Sequence, residues 1–254
     1  MKVVQQSKYG QPRYKPLKNA ACLFLLIYML SANLFSQESK WLNKKVNLEN
    51  LETRIDSFNM MQDNKVVGYW IWETQNNDNE IVFKDESVLT GVVNEKIVLK
   101  LNKQKLNSVF VDMKMWTSTD TLKVAVKRIT NKDLKASFDL KGKINRNISI
   151  DTLYTKNTIL RPEILGLLPT LSSYKSLDES IETFFLSSGR VATMHLKYIG
   201  GEEVTVSAGT FNTFKLSFQG EKQVSNIIYI KKEIPRRIVK VEVIGQPLTI
   251  ELAK

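Results

Sequence analysis

The chain of 254 residues has one cysteine, Cys22, and one histidine, His195. A protein so equipped builds no disulfide framework, and zinc and related metal sites draw on several Cys or His ligands. Neither a metal nor a cofactor is expected. A histidine base also needs a nucleophile and an orienting acid in reach, and no G-x-S-x-G elbow supplies the nucleophile. His195 sits in Met194-His195-Leu196-Lys197-Tyr198, on the parity of Lys197, and is expected on a wetted strand face. Phosphate loops, dinucleotide fingerprints and calcium loops are absent as well. No catalytic residue is expected, and the protein does not read as an enzyme.

No acidic residue precedes Glu38, while Lys2, Lys8, Arg13, Lys15 and Lys18 all lie in the first eighteen positions. Ala20 to Phe35 is a run without a charge, followed by Ser36-Gln37-Glu38. A basic stretch, an apolar stretch and a small residue before polar sequence describe a secretory signal peptide over residues 1–36. The run has 16 residues, short of the roughly 20 that a membrane-spanning helix needs. Cys22 lies near the start of the run, whereas a lipid-modified cysteine should follow it. Export would remove five of the basic residues and the only cysteine, lowering the net charge from +11 to +6. Nucleic acid is thereby excluded as a partner. The expected location is the periplasm, with association to the outer membrane allowed.

Residues 37–65 form an N-terminal segment in which Leu48, Leu51, Ile55 and Phe58 recur at helical spacing behind Asn47, a suitable N-cap. An amphipathic helix is predicted over 47–62. From Val66 the period becomes two. Val109, Val111, Met113 and Met115 share one parity, as do Ala136, Phe138 and Leu140, then Phe214, Leu216 and Phe218, then Val239, Val241 and Val243. Each such strand has one apolar and one wet face, the mark of antiparallel sheet. Turns are predicted at Asn76–Asn79, Thr130–Asp133, Ser188-Gly189 and Gly200-Gly201. About ten or eleven strands follow from this alternation. A short buried helix is predicted between Pro162 and Pro169, lying inside the curve of the sheet. The fold class is thus mainly β: an antiparallel curved sheet or half-open β-barrel with one or two short helices, one domain over 66–254.

The carboxylate pairs Asp85-Glu86, Asp178-Glu179 and Glu202-Glu203 put neighbours on opposite faces and are expected to be solvated charges. Lys231-Lys232 and Arg236-Arg237 flank Glu233-Ile234-Pro235 at an expected hairpin tip. They suit either contact with anionic headgroups or protection of a sheet end. The apolar faces carry the one positive candidate. Trp70 and Trp72, Met113 and Met115, Phe138, and Phe214 and Phe218 could line an apolar pocket for a lipid or the acyl chain of a lipidated protein. The other class is a structural or assembly protein of the envelope, with a filled core and a protein partner.

Val204-Thr205-Val206-Ser207-Ala208-Gly209-Thr210-Phe211-Asn212-Thr213-Phe214 resembles the V-x-V-P-A-G-T-F-x-T-Y/F hairpin of an uncharacterised bacterial envelope family. Pro235-Arg236-Arg237-Ile238-Val239-Lys240 resembles its late P-x-x-I/V-V-K segment, and Ser207 departs from its usual proline. The likeness covers residues 180–254, with Arg161-Pro162-Glu163 to Leu168 matching further upstream. It implies the shape of the LolA/LolB lipoprotein carriers, a half-open barrel with a helix on its concave side. It transfers no catalytic residue. Glycine at position 209 can take a positive φ, so the hairpin reads as a device that sets register.

Overall fold

The computed structural model describes residues 45–129, 133–153, 158–221 and 223–253. The expected signal peptide lies outside them. The fifteen strands of the described residues are β1 (Arg54–Gln62), β2 (Lys65–Asn76), β3 (Glu80–Leu89), β4 (Val93–Asn102), β5 (Asn107–Trp116), β6 (Thr121–Arg128), β7 (Asp133–Lys141), β8 (Arg146–Leu153), β9 (Ile159–Leu160), β10 (Asp178–Phe185), β11 (Arg190–Val206), β12 (Gly209–Gly220), β13 (Asn226–Lys231), β14 (Ile238–Val243) and β15 (Leu248–Leu252). All belong to one sheet in the order β8-β7-β6-β5-β4-β3-β2-β1-β15-β14-β13-β12-β11-β10-β9. Two meanders therefore run outward from a central seam, where β1 pairs antiparallel with β15.

This order forces curvature. Laid flat, fifteen strands would separate β8 from β9 by roughly 65 Å. Six residue steps join Leu153 to Ile159, and six steps reach at most about 21 Å. Whatever path residues 154–157 take, the two edges must come together. The interior confirms it: a Cβ built on Gly189, in the β10–β11 turn, would lie 2.9 Å from Phe138 Cζ on β7. Gly189 has φ +64, so the position needs glycine both for its backbone and for this approach.

One end of the barrel carries the turns after β1, β3, β10, β12 and β14. The opposite end is plugged. Helix α1 (Arg161–Leu167) follows β9, and a 3-10 turn continues it over Leu168–Thr170. Pro162 starts it and Pro169 ends the regular helix, as predicted, and it is buried on most sides. Its Gly166 packs against Phe83, whose ring atoms would sit 2.5 Å from an added Cβ. Below it, Val46 bridges to Leu171, the Asn47 N–H donates to Thr170 O at 2.8 Å, and Arg236 donates to Leu171 O at 2.8 Å. Tyr174 stacks on Phe214 at 4.3 Å between ring centroids and donates to Leu168 O.

The predicted helix over 47–62 is corrected. Asn47 does cap, accepting from the Glu49 N–H at 3.0 Å, but only over a 3-10 turn, Leu48–Asn50. The rest is β1, whose inward residues are Asp56, Phe58 and Met60. An aspartate at an inner position disguised the two-residue period, while Ile55, read as part of the apolar stripe, is 64% exposed. Asp63 and Asn64, both at positive φ, then make the two-residue turn into β2, the geometry a tight hairpin favours. Gly200-Gly201 is likewise no turn. It lies within β11 at a register shift between Tyr198 and Gly200, a bulge rather than a break. The later hairpin does fold as expected, with Val206 opposite Gly209 and the Ala208 N–H donating to Leu252 O.

Candidate functional site

Along β3 the inward parity runs Ile81, Phe83, Asp85, Ser87, and along β4 it runs Leu101, Leu99, Ile97, Glu95. Both strands are apolar where they meet α1 and turn polar toward the open end. The space there is a cavity of about 220 Å³, partly open to solvent. Its apolar walls include Met60, Trp70, Ile97, Met113, Leu165 and Phe185, continued across the β1–β15 seam by Ile250, Val241 and Val243. Arg161 and Pro162, the first residues of α1, form its floor, and Ser187 and the exposed Val224 stand at its mouth.

Of the seven candidates read from the sequence, Trp70 and Met113 line this cavity. Trp70 stacks on Phe58 at 4.6 Å and meets Trp72 edge-on at 5.5 Å, and Trp72 leans on Phe83 at 5.4 Å. Trp72 is therefore a rung of the aromatic ladder that carries α1, one step below the opening. Met115 is half-buried against the core, outside the cavity lining. Phe138 packs against Gly189 in the β10–β11 turn, away from the cavity lining. Phe218 is fully buried in β12, and Phe214 belongs to the plug at the closed end.

The polar lining was not anticipated. Asp85 was expected among solvated charges; instead Asp85 and Glu86 face opposite ways, as neighbours on a strand must, and Asp85 takes the inner face. Glu86 stays outside, bonded to Tyr69 and Lys96. Burial pushes the Asp85 carboxyl well above the usual carboxylate range. The Glu95 charge adds to that shift, while the Trp70 indole and Arg161 oppose it. Burial raises Glu95 too, against the pull of Arg161. The Arg161 guanidinium is lowered from its ordinary value by burial, and Glu95 and Asp85 hold it up. Its Nη2 donates to Asn226 Oδ1 at 2.6 Å. The Arg161 Nε and Asp85 Oδ1 are shielded from water and have no hydrogen-bond partner among the described residues. The switch from apolar to acidic at one parity of β3 and β4 was the signal available for these residues.

Glu163 is buried for a different reason. It accepts from the Leu160 N–H at 2.6 Å and from the Ser108 N–H, tying the start of α1 to the strand β5. Burial raises its carboxyl, with Arg128 and these donors opposing. It fixes the floor of the cavity without facing it. His195 lies on the exposed face, with Nδ1 3.0 Å from Ser180 Oγ. Lys231, Lys232, Arg236 and Arg237 do flank a hairpin tip. Arg236, however, lies over the Tyr174 and Phe214 rings, and Arg237 pairs with Asp56 at 3.3 Å.

No protein-family model and no curated protein matches the sequence. Among solved structures the chain is similar to the crystal structure of a beta-barrel-like protein of domain of unknown function DUF1849 from Brucella abortus. The TM-score is 0.46 at 8% identity, over 78% of this chain and 92% of that one.

Proposed function

We propose that this protein is an exported, non-catalytic binding protein that holds one apolar chain or ring in the open half of its barrel. The observation that carries this reading is the cavity itself, walled by Trp70, Met113, Ile97 and Leu165 and floored by a helix. Cores normally fill such space, because a void forfeits the contacts of every atom around it. A cavity of about 220 Å³ exceeds the roughly 150 Å³ that admits benzene in an apolar interior. It falls short of the roughly 300–1,000 Å³ usual for drug-sized ligands. One chain or ring fits; a whole lipid with several chains does not, so a lipid or lipidated partner would engage through a single chain. This is a narrower form of the LolA/LolB likeness, with the periplasm as the proposed location and the outer membrane as the apolar source.

The test is uptake of 1-N-phenylnaphthylamine by the purified protein, followed by its fluorescence. Saturable binding at one site, with transfer from the Trp70 indole to the probe, supports the reading. Signal that rises without saturation contradicts it. A second reading, an assembly protein of the envelope, is favoured by β8, an edge strand unpaired on its outer side among the described residues, where Ile148 is 40% exposed. Strand addition at that edge would show as a stable complex with another envelope protein in the absence of any apolar ligand.

A further inference from the structure

Resting on the reading of the cavity as a ligand site, we infer that Asp85, Glu95, Arg161 and Asn226 select a single-chain amphiphile whose head is uncharged and carries both a hydrogen-bond donor and an acceptor, as a polyol or an amide does. Two shielded polar atoms motivate this. Among the described residues Asp85 Oδ1, a carboxyl oxygen that accepts when ionised and can donate when protonated, has no partner, and the Arg161 Nε–H is a donor without an acceptor. Buried polar groups are nearly always paired in folded proteins, so two orphans in one cluster point to a missing partner. A ligand head offering both functions would satisfy them together.

Charge separates this head from its rivals. The titratable groups lining the cavity are Asp85 from β3, Glu95 from β4 and Arg161 from α1; Ser87, Ser187 and Asn226 are neutral. Both carboxyls are held above their ordinary range by burial, and an interacting pair gives up its protons in steps that belong to the pair. Both are therefore pushed toward the uncharged form, which brings the charge of the cluster toward balance with the one guanidinium. A carboxylate head would then meet two acids beside its one arginine. An ammonium head would be opposed by Arg161. Only an uncharged head enters without moving a proton or burying an unbalanced charge. The apolar part of the ligand lies against Trp70 and Met113, so Trp70 reports its arrival.

Three probes with the same chain separate the possibilities: monodecanoyl glycerol, decanoate and decylamine, each titrated below its micelle concentration into the full-length chain at pH 7, by calorimetry and tryptophan fluorescence. The glycerol ester is expected to bind at least tenfold more tightly than either charged probe. In Asp85→Ala its affinity is expected to fall at least fivefold, toward theirs. Tightest binding of decanoate or of decylamine would overturn the inference. Equal binding of all three would overturn it while leaving the cavity as a chain site. Binding of none would overturn the inference and the proposed function together. Should Asp85→Ala fail to fold, the ranking of the three probes on the unaltered chain decides.

Discussion

Replacing Gly166 by alanine sets two physical effects against each other. Within a helix, alanine is favoured over glycine by about 1 kcal/mol. If α1 were exposed on that side, the substitution should therefore stabilise. Inside the barrel the new methyl would lie 2.5 Å from Phe83 Cε2 and Cζ, where ordinary contact begins at 3.4 Å. The ring must retreat by about 1 Å, and it is backed by Trp72 at 5.4 Å. Overpacking of this kind costs about 1–3 kcal/mol. The balance is a net loss of about 1 kcal/mol, measured by urea denaturation. In the double variant with Phe83→Leu, the methyl occupies space the ring has left, so the combined loss should fall short of the sum of the two by at least about 1 kcal/mol. A Gly166→Ala protein more stable than the original by about 1 kcal/mol, the figure for helix propensity alone, would refute the packing of α1 on the aromatic ladder.

The remaining predictions concern charge inside the sheet. Asp85, Glu95 and Glu163 all have carboxyls raised by burial, so the folded state binds protons more readily than the unfolded one. Their contribution is fully present below the unfolded carboxylate range and is lost as pH rises through the raised folded values. The melting temperature should fall as pH rises above the ordinary carboxylate range, and Asp85→Asn should flatten that fall and raise the melting temperature at its upper end. Asp56, buried at the seam, is held by Arg54 at 2.7 Å and Arg237 at 3.3 Å. Asp56→Ala should lower unfolding free energy by about 2–3 kcal/mol, less than for a fully buried pair because both arginines keep some water. Glu163→Ala leaves the Leu160 and Ser108 N–H groups unpaired and should cost about 3 kcal/mol by denaturant titration.

How much was legible in the sequence varied with how cleanly each face kept one character. β7 alternates along its length and β14 does so from Val239 onward, with Ile238 buried beside Val239, and both were readable. Pro162 and Pro169 marked the ends of α1 because proline acts through the local backbone. β1 was misread since Asp56 occupies an inner position, and the aspartate is held there by Arg54, two residues back on the same strand, and by Arg237, which reaches it from a distant part of the chain. Asp85 and Glu95 were hidden by the same logic: an acid is assigned to solvent unless the partner that keeps it inside is known, and Arg161 lies far along the chain. Gly200-Gly201 looked like a turn, yet a bulge uses the same residue. Trp70 and Trp72 share a face, but only the depth to which α1 fills the barrel separates the wall of a cavity from the rung beneath it. Periodicity carries no information about that depth.

The most direct test of the central claim is native mass spectrometry of the protein purified without detergent, beside a Met113→Trp variant in which the larger side chain fills the cavity and circular dichroism verifies the fold. The original chain should carry a bound species of one small mass, released by organic solvent, and the variant should be bare. The same bound mass on both proteins, or none on either, would contradict the account.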